Sequence, residues 1–249
     1  MQIGKVVSLF TKLEKGKPVI PTSKLNVVES FGIQDDANAS NTNPRHVLIT
    51  SNQTLCDFNL NPGQLKENIV VEDFDIDSLK SGEELKIGDV KLRILFMCEP
   101  CGYVESLKKG LLKEIEGKRG VLAYVKTNGT IKLGDRVSKT ETTYPQVPYK
   151  VFDRFVWMLE KVPSGKVITF TDFVEGLGLF SAYFRVIPAY IKRVQNTNLP
   201  IHRIVDSKGN LIQKYVTNQN EMLSTEGVLI KNNTVINLEE DRFNLKELY

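Results

Sequence analysis

The sequence predicts two domains, a mainly-β first half that closes like a barrel and an α-rich second half of winged helix-turn-helix type. Short apolar runs broken by glycine, proline and asparagine follow one another over residues 2–135, the pattern of many short strands. From there on the pattern changes: Val151, Phe152, Phe155, Val156 and Leu159 recur at helical spacing. Between the two regimes lies a polar stretch from Ser138 to Pro148 that carries Pro145 and Pro148. The expected division is a β domain over 1–137, a linker over 138–150 and a helical domain over 151–249.

Strands are expected over 2–9 and 25–28, then an exposed loop over 31–43, where the chain turns small, polar and acidic. A strand over 45–50 follows, and Asn61-Pro62-Gly63 turns the chain towards 67–71. Two short phrases, 79–85 and 85–89, precede the apolar run 90–97. A helix is expected over 104–116 and a strand over 120–125, with a hairpin at Asn128-Gly129, because Asn-Gly between apolar runs suits a tight turn. In the second half a helix over 151–160 ends before Pro163. Ile168-Thr169-Phe170-Thr171-Asp172 opens the next with a threonine or aspartate cap, Gly176 and Gly178 break it, and a third runs from Ser181 through Arg185 to Val194. Asn232-Asn233 marks a small hairpin, the wing, and 241–249 a short closing element.

A composition of 41% hydrophobic and 25% charged residues is that of a soluble globular protein. The formal charge of +3 is too small to drive nucleic-acid or membrane binding by itself, so any such partner needs a local patch. Neither a signal-peptide-like start nor an apolar run of spanning length is present, so no membrane partner and a cytoplasmic location are expected. Three cysteines, an odd number, argue against a disulfide framework.

Two of those cysteines stand in Cys98-Glu99-Pro100-Cys101-Gly102, directly after the apolar run. Such a pair can be a redox dithiol, half a zinc site, or the place where one thiolate meets a soft metal. Zinc finds few further ligands, because Cys56 stands apart and the histidines are His46 and His202. A thioredoxin-like dithiol needs the motif at a helix N-terminus, whereas Pro100 and Gly102 read as an exit from strand to loop.

The order of phrases in the first half resembles the MOSC domain, the module named after the C-terminal part of molybdenum cofactor sulfurases. The residues that carry the resemblance are Gly4 with Val6 and Ser8, the loop from Gly32 to Asn38, Arg45 with Val47, Pro62-Gly63 before Glu67-Asn68-Ile69, Gly82 to Asp89, Pro100-Cys101, and Gly120 through Gly134-Asp135. The resemblance implies a MOSC-like barrel in which Cys101 is the reactive residue, carrying sulfur or binding the molybdenum of a pterin cofactor. Cys98 does not inherit that role. A thiolate suits both tasks if cations lower its pKa, and Arg45 and Arg119 are the candidates. For an anionic pterin phosphate the candidates are Arg45, Lys66 and Asn68. Where the family commonly has Gly-Asp-x-His, this chain has Gln34-Asp35-Asp36-Ala37-Asn38. No aminotransferase-like region precedes these phrases, so pyridoxal phosphate is not expected.

In the second half Arg185, Lys192, Arg193, Arg203, Lys208 and Lys214 face a single acid, Asp206, a candidate phosphate-facing patch. On charge alone a solvated helix face beside a basic loop is the better reading. Val162-Pro163-Ser164-Gly165-Lys166-Val167, then Arg185, then Leu199-Pro200-Ile201-His202-Arg203-Ile204-Val205, then Thr225-Glu226-Gly227, are similar to the DNA-binding domain of O6-alkylguanine-DNA alkyltransferases. There the phrase Pro-Cys-His-Arg-Val holds the cysteine that accepts the alkyl group. Here Ile201 stands in that place, and an aliphatic side chain cannot accept it. The match is therefore to the alkyltransferase-like proteins, which lack the cysteine and recognise alkylated DNA without repairing it. It implies that Arg185 enters the base stack, Arg203 supports the pocket, Ile201 lines it and Phe170 takes the place of the usual tyrosine. His202 and Glu226 are left without a nucleophile and are expected to be structural. Pro188 inside the third helix and the missing glycine-rich loop around Tyr215-Val216 are departures.

The expected protein is thus a molybdenum-pterin or sulfur-carrying domain at Cys101, able to reduce N-oxygenated compounds or bases, joined to a DNA-binding domain. The alternative is a sensor of alkylated DNA that recruits repair partners, its first domain a surface for protein contact.

Overall fold

Strands that alternate side chains between an apolar interior and an outer face build the first domain. The computed structural model describes residues 2–249, which divide after Val147 into two compact units. The first contains β1 (Ile3–Thr11), β2 (Ile20–Thr22), β3 (Lys24–Val28), β4 (Gly32–Ile33), β5 (Val47–Ser51), α1 (Asn52–Asp57), β6 (Ile69–Glu72), β7 (Glu83–Ile87), β8 (Val90–Met97), α2 (Gly102–Leu107), α3 (Leu111–Glu114), β9 (Val121–Val125), β10 (Gly129–Lys132) and β11 (Arg136–Thr143). Strands β11-β7-β8-β9-β5-β6-β1 lie side by side in that order, and β1 pairs back onto β11 with Gly4 opposite Val137, which closes a seven-stranded barrel. Val6, Ile49, Ile69, Val71, Leu92, Ala123 and Val137 belong to the large buried core of this barrel. Val70 points the other way and packs with Leu55, Leu65, Val104, Leu111 and Ile115. Strand β6 is therefore covered on both faces, which is why Ile69-Val70-Val71 is unbroken by polar residues.

Three expectations for this half are corrected. Residues 138–143 are strand rather than linker, because β11 pairs with β1 on one side and β7 on the other, and its polar side chains occupy the wet face. The helix expected over 104–116 is two, α2 and α3, parted by Gly110 at a φ of 86°. Asn128-Gly129 does not turn a hairpin: β10 leaves β9 and pairs with β3 in a second sheet, while the Asn128 Oδ1 accepts the Glu29 N–H at 2.8 Å.

The second unit contains α4 (Val151–Lys161), β12 (Ile168–Thr169), α5 (Phe170–Gly176), α6 (Ile187–Val194), β13 (Ile204–Val205), α7 (Gln219–Thr225), β14 (Ile230–Lys231), β15 (Thr234–Val235) and α8 (Leu238–Asp241). Phe155, Met158 and Leu159 turn the apolar face of α4 inward. Thr169 caps α5 by accepting the Asp172 N–H at 3.1 Å, while the Asp172 carboxylate accepts the Thr169 N–H at 2.8 Å. The third helix is not continuous as expected. A 3-10 turn, Ser181–Arg185, precedes α6, which starts at Ile187, so Pro188 sits in a first turn where its missing N–H has no partner to lose. Asn232 and Asn233, at φ 50° and 60°, turn β14 into β15, and the Tyr249 hydroxyl donates to the Gly176 carbonyl at 2.5 Å. Among the described residues no helix is long and apolar enough to cross a membrane.

Candidate functional sites

Strand β8 ends at Met97 and delivers Cys98, whose N–H donates to the Gly120 carbonyl at 2.8 Å. Gly120 must be glycine there: its φ is 98°, and a Cβ would lie 2.2 Å from the Ile49 carbonyl oxygen. From Cys98 to Cys101 the chain makes no hydrogen-bonded turn. Cys101 then stands at the N-cap of α2, so the motif does open a helix, contrary to the reading of Pro100 and Gly102 as a loop.

The two thiols meet different guanidinium groups. Arg119 Nη1 is 3.6 Å from Cys101 Sγ and 2.7 Å from the Glu99 carbonyl oxygen, and Nη2 reaches the Leu65 carbonyl. Arg45 Nη2 instead lies 3.6 Å from the sulfur of Cys98, not of Cys101. Burial pushes the half-buried Cys101 thiol up, but the Arg119 charge and the backbone N–H groups of Tyr103 and Val104 together outweigh it and leave the thiol below its ordinary pKa. Cys98 is buried, and Cys56 is exposed elsewhere on α1.

Of the remaining candidates, Lys66 is partly engaged: its ammonium donates to the Gly16 carbonyl at 2.9 Å and lies 4.1 Å from the Tyr103 ring centre. Asn68 is corrected from cofactor ligand to buried scaffold. Its Oδ1 accepts the Leu48 N–H, and its Nδ2 donates to the Phe10 carbonyl and the Asp36 carboxylate. Asp36 also accepts the Lys12 and Asn38 N–H groups, so the Gln34-to-Asn38 loop is pinned from within. His46 is core as well: Nδ1 accepts the Val125 N–H, Nε2 faces the Ser40 carbonyl, and burial lowers its pKa to about 4.

Lys12 is a site residue the sequence reading missed. Burial lowers its pKa, Asp36 opposes this, and the charges of Lys66 and Arg45 lower it further. Lys12 is thus within reach of the charges of Lys66 and Arg45 and of Cys98. A lysine ending an apolar strand carries no pattern that distinguishes it from an ordinary surface lysine. Two buried atoms nearby, Arg119 Nε and Glu67 Oε2, have no hydrogen-bond partner among the described residues.

In the second unit, Ile201, His202 and Arg203 form one 3-10 turn. His202 Nε2 lies 2.9 Å from Glu226 Oε1, and Arg203 donates to both carboxylate oxygens, from Nη2 at 2.6 Å and Nε at 3.0 Å. Arg203 Nη1 also reaches the Val162 carbonyl at 2.7 Å, and the Gly165 N–H donates to Glu226. Burial pushes the Glu226 carboxyl up, but Arg203 and His202 hold it down at about 2. Gln219, also missed, is fully buried and ties the same turn to the chain through the His202, Ile204 and Ile212 backbones. Ile201 is buried and Phe170 half-buried at the start of α5, while Arg185 is exposed and has no hydrogen-bond or ionic partner among the described residues.

A family model of the MOSC domain matches residues 35–138. A second, the DNA binding domain of 6-O-methylguanine DNA methyltransferase, matches residues 150–228. The chain joins a MOSC domain to an alkyltransferase-type DNA-binding domain. Among solved structures, the YUAD protein from Bacillus subtilis is 19% identical, with a TM-score of 0.50 over 57% of this chain and 97% of that one. YiiM from Geobacillus stearothermophilus is 13% identical, with a TM-score of 0.46 over 90% of this chain and 98% of that one. S. pombe Atl1, in complex with damaged DNA containing O6-carboxymethylguanine, is 24% identical, with a TM-score of 0.34 over 37% of this chain and 94% of that one. No curated protein matches the chain. The MOSC match includes Arg45, Cys98, Cys101 and Arg119, and the alkyltransferase-type match includes Arg185, Ile201 and Glu226.

Proposed function

We propose that the MOSC domain binds a molybdenum-pterin cofactor through Cys101 and reduces small N-oxygenated compounds, modified bases among them, while the second domain binds DNA without accepting alkyl groups. One observation carries this reading: the half-buried Cys101 thiol, held below its ordinary pKa beside Arg119. The surroundings suit such a cofactor. Cys101 is a soft donor, Lys12, Arg45 and Lys66 offer positive charge to an anionic phosphate, and Arg119 Nε and Glu67 Oε2 are buried with hydrogen-bonding capacity to spare. When bound, the group supplies two-electron redox chemistry. The Arg119 charge lowers the pKa of the sulfur, and the same guanidinium holds the Glu99 carbonyl and with it the loop that presents Cys101.

The test is molybdenum content of protein from a cofactor-competent host. Near-stoichiometric metal, lost in Cys101→Ser and kept in Cys98→Ser, is the expected result. Metal-free wild-type protein would overturn the reading and leave persulfide carriage at the same thiol.

Arg185 favours a second reading, in which the chain senses alkylated DNA and recruits repair factors. It is exposed and has no hydrogen-bond or ionic partner among the described residues, and Ile201 removes the acceptor chemistry that would consume a sensor. An alkylguanine duplex should shift in a gel with wild type and not with Arg185→Ala, and the protein should gain no alkyl mass.

A further inference from the structure

The turn before α6 carries more than Arg185. Phe180 is 63% exposed and Phe184 36%, both within a few residues of that guanidinium. Helix α6 extends the surface with exposed Ala189, Lys192 and Arg193, since Ile187, Ile191 and Val194 take its inner face. No acidic residue occurs between Glu175 and Asp206, so the charge of this stretch is uniformly positive. Arg193 lies 3.7 Å from the centre of the Phe152 ring, and no carboxylate pairs with it among the described residues.

Exposed rings interleaved with cations match one kind of ligand. A single strand offers unpaired base faces to stack on aromatic side chains and phosphates to pair with lysine and arginine. A duplex keeps its base faces stacked inside and offers them to the rings only where a step is unstacked or a base flipped, at an energetic cost. A partner protein matching this surface would have to supply both acidic groups and an apolar patch, whereas every nucleotide of a single strand supplies a base face and a phosphate together. We propose that the surface formed by Phe180, Phe184, Arg185, Lys192 and Arg193 binds single-stranded DNA, with bases on the two phenylalanines and phosphates on the three cations. The proposal rests on the reading that the second domain binds DNA, and specifies the form of DNA.

The experiment is fluorescence anisotropy on the full chain, with a labelled single strand of roughly 12 nucleotides and the duplex of the same sequence. The single strand should bind roughly ten-fold more tightly than the duplex. Phe180→Ala and Phe184→Ala should each weaken single-strand binding about ten-fold with the salt slope unchanged. Arg185→Ala should lower that slope by about 0.7. All three side chains are exposed, and a thermal melt checks that each variant folds. Duplex binding that needs Arg185 but ignores both phenylalanines would overturn this proposal and leave the DNA reading standing. Absence of binding to either probe would sink both.

Discussion

The surroundings of Cys101 and the turn around Glu226 both gather charges beside a position that alkyl or sulfur chemistry would use, yet they are finished differently. At Glu226 every strong group is answered within the chain: Arg203 and His202 on the carboxylate, Val162 on the remaining guanidinium nitrogen, Gln219 on the backbone. Around the Cys98-to-Cys101 segment the charges of Lys66 and Arg45 lower the pKa of buried Lys12, and Arg119 Nε and Glu67 Oε2 are buried with no hydrogen-bond partner among the described residues. Burying a polar atom without a partner costs about 1–3 kcal/mol. The Glu226 turn is thus closed within the chain, whereas the surroundings of Cys101 keep hydrogen-bonding capacity to spare.

The contrast breaks most directly at Arg203. Arg203→Ala should cost about 3 kcal/mol in urea denaturation, because it leaves the Glu226 carboxylate inside with only His202 and the Gly165 N–H. A loss well under 1 kcal/mol would mean that the closed network is not what holds this turn. Since the Glu226 pKa is about 2 when folded, against 4.5 unperturbed, its share of stability is present above about pH 4.5 and is lost as pH falls towards 2.

His46 sharpens the comparison from within the MOSC domain, being a titratable group that is closed rather than open. Its folded pKa of about 4 lies below the ordinary 6.5, so the unfolded chain takes up the proton first. The corresponding stability is complete above pH 6.5 and falls by about 3 kcal/mol as pH drops to 4. His46→Gln should flatten unfolding free energy measured across that window; an unchanged slope would assign the pH dependence to other groups.

Next in size is the thiol. In a Cys56→Ser background, which removes the exposed competitor, Arg119→Met should raise the Cys101 pKa and slow its alkylation by iodoacetamide about ten-fold at pH 7. A pH–rate curve that does not move would detach Arg119 from the reactivity of Cys101. The smallest effect is expected at the cap of α5, where Thr169→Ala should lower stability by about 1 kcal/mol without touching either site.

Much of this was legible in the chain. Gly-, Pro- and Asn-bounded apolar runs announced the strands of the barrel, and the spacing of Phe155 and Leu159 announced α4, because both signals come from side-chain periodicity within one element. Cys101 and Ile201 became candidates through short phrases, a strand-end Pro-Cys and a Pro-Ile-His-Arg, that lie within the segments the family models match. The misses share a different origin. Asn128-Gly129 has the composition of a hairpin, but the partner of β10 is β3, more than a hundred residues earlier in the chain. Residues 138–143 looked like a linker because the wet face of a strand and a loop are equally polar.

By itself the sequence determined the two-domain plan and the aliphatic Ile201 in the Pro-Ile-His-Arg phrase, both matters of residue type and local order. Only the tertiary structure decided which arginine meets which cysteine, that Asn68 is scaffold, and that Lys12 joins the field of Arg45 and Lys66. Electrostatic effects on a pKa depend on distance and burial, and barrel closure sets both between residues far apart in the chain.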